Sequence, residues 1–414
     1  MLDEHLFRRE SGRIVTALSR IFGLDNIALA EDVAQDVFCR ALEVWKLRGV
    51  PQNPSAWLMK AAKNRAIDLL RRERTARNCV PELGRLLTSE WTMVPTVNEL
   101  FSAETIKDDQ LRMMFTCCDP RLSEDAQVAL TLYLLCGFTI GEIAGAFLSK
   151  NSRIEKRIER GKKLLASSKK LFDLADVELV SRLSTVHRTL YLLFNEGYHG
   201  ASRTAVMRTE LCREAMRLAA LLLENDLVAS PPSYALCALM WLHAARLPAR
   251  LDSQGNLVPL ANQDRSRWDA RLIERGNDFL DRSASGRELS EYHVEAAIAS
   301  LHSSARAGET DWERLLWLYD LLMKIRPSPV TALNRAIALA QKDGPERGIA
   351  AIRAIPASEQ LASYPFFPAA LGELELRAGH ADRAREHFQA AAALARNPME
   401  RRFLESRAEA AIPV

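Results

Sequence analysis

The sequence AEDVAQDVFCRALEVW, residues 30–45, decides the fold of the N-terminal part of the chain. Its large and small apolar residues recur at helical spacing and form one stripe: Val33, Ala34, Val37, Phe38, Ala41, Leu42 and Trp45. The acidic residues Asp32, Asp36 and Glu43 point the other way, with Gln35 between them. The pattern predicts an amphipathic helix with one buried face. Taken alone, its acidic face is typical of a solvated helix surface.

A second amphipathic helix is predicted over NPSAWLMKAAKNRAIDLLRRE, residues 53–73. Pro51 and Pro54 separate it from the first helix, and Ser55 is the expected N-cap. Its buried face begins at Trp57 and Leu58. The remaining surface carries polar and basic side chains, namely Lys60, Lys63, Asn64, Arg71 and Arg72. Cations of this kind attract phosphates and an amide can bind a base edge, although a basic run alone is more often a solvated surface.

A helix-turn-helix pattern is predicted between residues 122 and 170. Thr139 and Glu142 have the spacing of a capping box at the start of a short helix, and Ser152 and Glu155 repeat it for the next one. That second helix is rich in charged residues: Arg153, Glu155, Lys156, Arg157, Arg160, Lys162 and Lys163. Two helices joined by a tight turn, the second one cationic, are the parts of a DNA-binding motif. An ordinary helical hairpin is the alternative.

Helical patterns dominate the whole chain, so we predict an all-α fold, with a short strand at residues 255–260 as the one exception. The expected segments are a helical domain, a linker with short helical pieces, the helix-turn-helix, a helical extension and a repeat region, with the bounds 1–76, 77–110, 111–172, 173–290 and 291–414. Asn195 and Gly197 are expected to end a helix within the extension, because both tolerate a positive φ.

The last third of the chain contains a repeat pattern. The spacing of large and small residues is that of a tetratricopeptide repeat at Leu371, Gly372, Gly379, Ala384, Phe388 and Ala391. Tyr319 with Pro327, and Ala336 with Gly344, indicate weaker earlier units. Chance spacing in a helical bundle is the alternative.

Several function classes have little support in the sequence. The N-terminus lacks the apolar core of a signal peptide, and no apolar run reaches the length of a membrane span. The chain has 7 cysteines, without zinc-ligand spacing. We found no catalytic triad, phosphate loop or metal motif among the residues. We therefore expect a cytoplasmic protein without a membrane segment, which is not an enzyme and needs no cofactor.

Together these stretches resemble sigma factors of the extracytoplasmic-function type. Residues 30–45 and 53–73 look like region 2, and GFTIGEIAGAFL with RIEKRIERGKKLL, residues 137–148 and 153–165, looks like region 4. The resemblance continues through FTCCDPRLSEDAQVALTL, LYLLFNEGY and QDRSRWD, which start at residues 115, 190 and 263 and are similar to a subgroup with a fused C-terminal tetratricopeptide-like domain.

This resemblance implies partners and roles. Core RNA polymerase would contact Asp32, Gln35, Asp36 and Phe38. In promoter DNA, the loop 48–55 would capture a flipped base of the minus-ten element beside Lys60 and Asn64. The minus-thirty-five element would face Glu155, Lys156 and Arg160. The relatives open this helix with a small residue and Thr, where this chain has Ser152 and Arg153. Helical repeats usually bind proteins, so the C-terminal domain is expected to be a regulatory module that binds a further protein. A helix-turn-helix regulator with a repeat-based sensor domain is the alternative.

Overall fold

The computed structural model describes residues 4–73, 90–146, 149–167, 176–199, 209–253, 256–304, 310–356, 358–395 and 398–411. The fold is all-α, as the sequence predicts. The helices are α1 (Glu4–Phe22), α2 (Ile27–Arg48), α3 (Pro54–Glu73), α4 (Glu90–Leu100), α5 (Ala103–Cys117), α6 (Glu124–Leu134), α7 (Ile140–Ala146), α8 (Asn151–Ser167), α9 (Asp176–His199), α10 (Thr209–Leu223), α11 (Pro231–Ala244), α12 (Ala270–Ser283), α13 (Glu291–Ser304), α14 (Trp312–Ile325), α15 (Pro329–Asp343), α16 (Pro345–Arg353), α17 (Phe366–Arg377), α18 (Ala381–Ala393) and α19 (Pro398–Ala410). Among these helices, none has the length and apolar character needed to cross a membrane.

Two compact units make up the chain. Unit 1 contains Met1–Leu193 and Arg213–Val228, and unit 2 contains Phe194–Cys212 and Ala229–Val414. The first part of α9 and most of α10 therefore belong with the N-terminal half. This differs from the boundary at residues 172 and 173 that the sequence suggested.

Unit 1 is built around the apolar stripe of α2. The buried Val33, Val37 and Ala41 pack against α1 and α3. Trp45 lies 5.5 Å, between ring centroids, from Trp57 of α3. The N-cap of α3 differs from the prediction. Asn53, and not Ser55, caps this helix, because its Oδ1 accepts a hydrogen bond of 3.0 Å from Ala56 N and Pro54 occupies the first helical position.

The segment 77–110, expected to be a linker with short helical pieces, is largely helical in its described part. Met93, Val97 and Leu100 recur along α4 at helical spacing and are buried in the same core as α2 and α3. Ser102 then caps α5 by accepting a hydrogen bond from Thr105 N. Pro81 and Gly84 lie outside the described residues.

A close helix contact joins α1 to the end of α6 within unit 1. A Cβ atom added to Gly12 would lie 1.9 Å from the carbonyl oxygen of Leu135, so only glycine fits here. Gly137 follows at a φ of +64° beside the backbone of Arg8. The helix pair α7 and α8 is thus held against α1 instead of lying apart from it.

Helices α14 to α19 of unit 2 form a stack in which each helix packs on the next along the chain. A Cβ on Gly372 would lie 3.1 Å from the Phe388 ring, which accounts for the small residue there. Gly344 and Gly379 adopt a positive φ at two of the turns between helices. The residues picked out by the repeat pattern therefore lie in helical hairpins. Gly348, whose Cβ would meet Ala340 at 2.3 Å, belongs to the same packing.

Two local predictions were wrong. Asn195 and Gly197 do not end a helix, because α9 continues to His199, and Phe194 and Tyr198 stack one turn apart at a centroid distance of 5.7 Å. The expected strand at residues 255–260 is also not formed in its described part. Leu257 makes only an isolated antiparallel bridge with Leu251.

Candidate polymerase and nucleic-acid interface

The acidic face of α2 is solvent-exposed at Asp32, Gln35 and Asp36. Asp36 accepts a hydrogen bond of 3.2 Å from the guanidinium of Arg65 on α3. Phe38 differs from these three residues. It is partly buried, and its ring packs edge-on against Phe7 at a centroid distance of 5.2 Å. The structure therefore places three of the four predicted polymerase contacts on one accessible face.

Sequence reasoning missed a group of exposed apolar side chains at the end of α2. Leu42 was expected to be buried, yet it is 45% exposed, and Leu47 and Val50 are 85% and 55% exposed. Gly49 terminates the helix with a φ of +80°. Exposed apolar side chains beside a polar face are typical of a protein-binding surface. Arg40 and Glu43 flank Ala41 and Leu42 in the sequence, and these charged residues were the signal for exposure that was missed.

The polar face of α3 presents most of the predicted nucleic-acid contacts. Lys60, Asn64 and Arg71 are exposed along one side of this helix, and Lys63 is half-buried. The Arg72 side chain lies outside the described part of the structure. Because Arg65 of the same helix bonds to Asp36, this face adjoins the acidic face of α2.

The start of α7 confirms the first predicted capping box. Thr139 Oγ1 accepts a hydrogen bond from Glu142 N at 3.3 Å, and Glu142 Oε2 accepts one from Thr139 N at 2.9 Å. The other carboxylate oxygen of Glu142 binds the Arg8 guanidinium at 2.6 Å. The second capping box was wrong. Helix α8 begins at Asn151, so Ser152 lies within its first turn and does not cap it.

The structure divides the charged residues of α8 into two sets. Arg153, Glu155, Lys156 and Arg160 are exposed. Within the described part of the chain, the three cations of this set form no ion pair. The apolar face of the helix, which includes Ile154 and Ile158, is buried. The cations therefore project away from the side that packs against α6 and α7.

The second set is engaged in ion pairs. Arg157 binds Asp125 at 2.7 Å, and Lys163 binds Glu159 at 2.7 Å on its own helix. Lys162 reaches Glu31 of α2 at 2.6 Å, and its ammonium lies 4.4 Å from the centroid of the Tyr133 ring. In this conformation all three residues form ion pairs within the protein, and their predicted contact with DNA stays a prediction.

The adjacent thiols of Cys117 and Cys118, at the end of α5, are fully buried. Burial raises the pKa of Cys118 to about 12, and it raises the pKa of Cys117 further. Since the thiolate is the reactive form of cysteine, neither residue is suited to nucleophilic or redox chemistry.

Comparisons with known proteins agree with this geometry at the N-terminus. Residues 6–76 match Sigma-70 region 2, and residues 182–284 match a family of unknown function (DUF6596). The chain is 36% identical over 390 residues to the uncharacterized protein R00370 of Rhizobium meliloti (strain 1021), covering 94% of this chain and 90% of the relative. No solved structure matches the chain significantly. The chain therefore belongs to the same family as this Rhizobium meliloti protein, and its N-terminal domain is a sigma-70 region 2 that supports a sigma factor role in transcription initiation.

Proposed function

We propose that the chain is a sigma factor of the extracytoplasmic-function type, which binds core RNA polymerase and directs promoter recognition and DNA melting. The observation that carries the proposal is the region 2 domain, residues 6–76, with an acidic helix face beside a basic one. A protein that binds only duplex DNA has no need of such a pair of faces.

On the polymerase side, Asp32 and Gln35 are accessible on α2, and the exposed Leu42 and Leu47 extend the surface toward the end of the helix. Apolar side chains supply the area that a stable interface must bury, and charges on its rim steer association. We assign Phe38 a packing role, because its ring contacts Phe7.

On the DNA side, Lys60 and Asn64 are exposed on α3, and Asn53 of the loop before this helix caps it. A cation contributes a salt-dependent attraction for phosphate, and the amide of Asn64 is able to bond to an unstacked base. This arrangement supports minus-ten recognition and strand melting by α3.

We further propose that α6, α7 and α8 form region 4, with α8 as the recognition helix. The short connection from α7 to α8 and the exposed cations Arg153, Lys156 and Arg160 support this assignment. A helix of this kind enters the major groove and reads bases with its exposed side chains. Glu155 on the same surface is suited to accept a hydrogen bond from cytosine.

For the C-terminal part of the chain we propose tetratricopeptide-like repeats that bind a protein. The hairpins of α14 to α19, with small residues such as Gly348 and Gly372 at the close helix contacts, support this. Stacked helical hairpins of this type usually present a surface for peptides or proteins.

The central test is binding to polymerase. The double variant Asp32→Lys, Asp36→Lys is expected to lower the affinity for purified core RNA polymerase roughly tenfold or more. The fold should persist, because Asp36 contributes only an exposed ion pair with Arg65. Co-purification and promoter-directed transcription measure the effect.

The matched control is Asp25→Lys, Glu99→Lys, which makes the same change in net charge at exposed positions on other elements. Polymerase binding should be retained in this control. If the wild-type chain binds promoter duplex but does not associate with polymerase, the helix-turn-helix regulator becomes the better assignment. Equal polymerase binding by both double variants would exclude α2 as the interface.

A further inference from the structure

Three arginines meet around two aromatic rings in unit 2. The guanidinium carbon of Arg250 lies 3.8 Å from the centroid of the Tyr198 ring. Those of Arg265 and Arg246 lie 4.7 and 5.7 Å from the centroid of Trp268. These residues come from the end of α9, the turn after α11 and the segment 263–269. The fold thus assembles them from three stretches that are well separated along the chain.

Two arginines of this cluster lack a carboxylate partner among the described residues. In the described part of the structure, neither Arg246 nor Arg250 forms a salt bridge. Burial, followed by repulsion from Arg250 and Arg265, lowers the pKa of Arg246, although Tyr198 acts in the opposite direction. The pKa of the nearby His302 is lowered to about 4, by burial first and then by Arg246 and Arg265.

The two acidic residues of the segment 263–269, Asp264 and Asp269, bind backbone groups of that segment and of α12. Asp264 Oδ1 accepts hydrogen bonds from the backbone N and the hydroxyl of Ser266, at 3.0 and 2.7 Å. Asp269 Oδ1 caps α12 by accepting hydrogen bonds from the backbone N atoms of Arg271 and Leu272. Both carboxylates therefore stabilise helix starts, and among the described residues neither forms a salt bridge with Arg246 or Arg250.

Two buried donors in the cluster are unsatisfied. Arg246 Nε and Trp268 Nε1 are both buried and have no hydrogen-bond partner among the described residues. Neither group can accept a hydrogen bond, so only an acceptor could satisfy them. At 5.7 Å, Arg246 also lies near the outer limit of about 6 Å for a cation–π interaction. The aromatic ring of Trp268 therefore compensates little of its charge.

We propose that this cluster, defined as Tyr198, Arg246, Arg250, Arg265 and Trp268, is a binding site for a small oxyanion, a phosphate or carboxylate group. Guanidinium groups match both groups in geometry, and the stacked rings hold two of them in place. An oxyanion supplies the negative charge that Arg246 and Arg250 lack and the acceptor atoms that Arg246 Nε and Trp268 Nε1 lack among the described residues. The proposal concerns unit 2 alone and does not depend on the sigma factor assignment.

The test is isothermal titration calorimetry on the full chain with inorganic phosphate and, separately, with malonate, against sodium chloride of matched ionic strength. At least one of the two anions is expected to bind saturably, and the stronger one identifies the ligand chemistry. Arg246→Gln should weaken this binding about tenfold or more, because it removes a charge-assisted hydrogen bond. The control Arg267→Gln changes an exposed arginine of the same segment and should bind like the wild type.

Thermal unfolding provides a second measurement that separates ligand binding from a purely structural role. Without added anion, Arg246→Gln should unfold at a higher temperature than the wild type, because the repulsion among the arginines is relieved. The binding anion should raise the unfolding temperature of the wild type but not that of the variant. Absence of saturable binding by both anions, unchanged binding in Arg246→Gln, or a lower unfolding temperature of this variant would each overturn the proposal.

Discussion

At the scale of single residues, His187 of α9 is a buried titratable group in unit 1. Burial lowers its pKa to about 3 from an ordinary value of 6.5. The folded chain therefore holds this imidazole neutral, whereas the unfolded chain protonates it below about pH 6.5. Its contribution to stability is fully present above that pH and is lost as the pH falls toward 3.

Replacing this histidine tests that dependence. Between about pH 7 and pH 5, the wild type is expected to lose about 2 kcal/mol more unfolding free energy than His187→Gln, which has no proton to gain. Urea unfolding followed by circular dichroism at the two pH values gives the difference. An identical pH dependence in both proteins would mean that His187 is accessible to water in the folded state.

At the scale of the element, α8 carries two sets of cations with different expected roles. Lys156→Ala, Arg160→Ala removes exposed cations, so promoter binding should weaken by about 1–3 kcal/mol for each interaction with a base that the alanines remove. For each interaction with a phosphate that they remove, the salt slope should fall by about one. Fluorescence anisotropy of labelled promoter DNA with holoenzyme, measured over a range of salt concentrations, gives both quantities.

The control for this helix is Arg157→Ala, Lys163→Ala, which removes the same charge from residues paired with Asp125 and Glu159. We expect a smaller change in the salt slope here, because both cations are already engaged. Equal slopes for the two double variants would show that exposure on α8 does not decide which residues bind DNA.

The elements themselves were predictable where the signal is local. The apolar stripe around Val37 predicts α2, and the spacing of Thr139 and Glu142 predicts the start of α7. Asn195 and Gly197 led to a wrong prediction of a helix end, because the intrinsic propensity of these residues is a weak effect that packing overrides. Local spacing gave no sign that α9 runs on through Tyr198.

The candidate sites were predictable only in part, because long-range pairing leaves no local pattern. Lys162 has the same spacing as its neighbours on α8, yet it forms an ion pair with Glu31 of α2, which lies 131 residues earlier in the sequence. In unit 2, Arg250 and Trp268 can be assigned to one cluster only after the chain is folded. Exposure, which separates Lys156 from Lys162, depends on this tertiary packing.

At the scale of the whole molecule, the boundary of unit 1 predicts which fragments fold. Arg182 of α9 donates a hydrogen bond of 3.1 Å to the carbonyl oxygen of Phe115, and Arg217 of α10 donates one of 3.2 Å to Gln110. Both helices therefore pack on α5, which contains the fully buried Phe115, although they follow α8 in the sequence.

A fragment ending at residue 175 should therefore be much less stable than one ending at Val228. Each large apolar side chain that is exposed costs about 1.5–3 kcal/mol. Urea unfolding and the yield of monomer in gel filtration compare the two fragments, with the full chain as reference. If the shorter fragment is as stable as the longer one, α9 and α10 are dispensable for the N-terminal half.

The ion pairs Lys162–Glu31 and Arg8–Glu142 have a consequence for the promoter-bound state that we propose. The two promoter elements are named for positions about 25 base pairs apart, roughly 85 Å of duplex at about 3.4 Å per base pair. If α3 and α8 read these two elements together, as we propose, the contact of α8 with α2 has to open first, and only the open fraction of the free protein binds both elements. The apparent dissociation constant then equals the intrinsic one divided by that competent fraction. Salt, which screens both pairs, enlarges the fraction while it weakens the contacts with DNA.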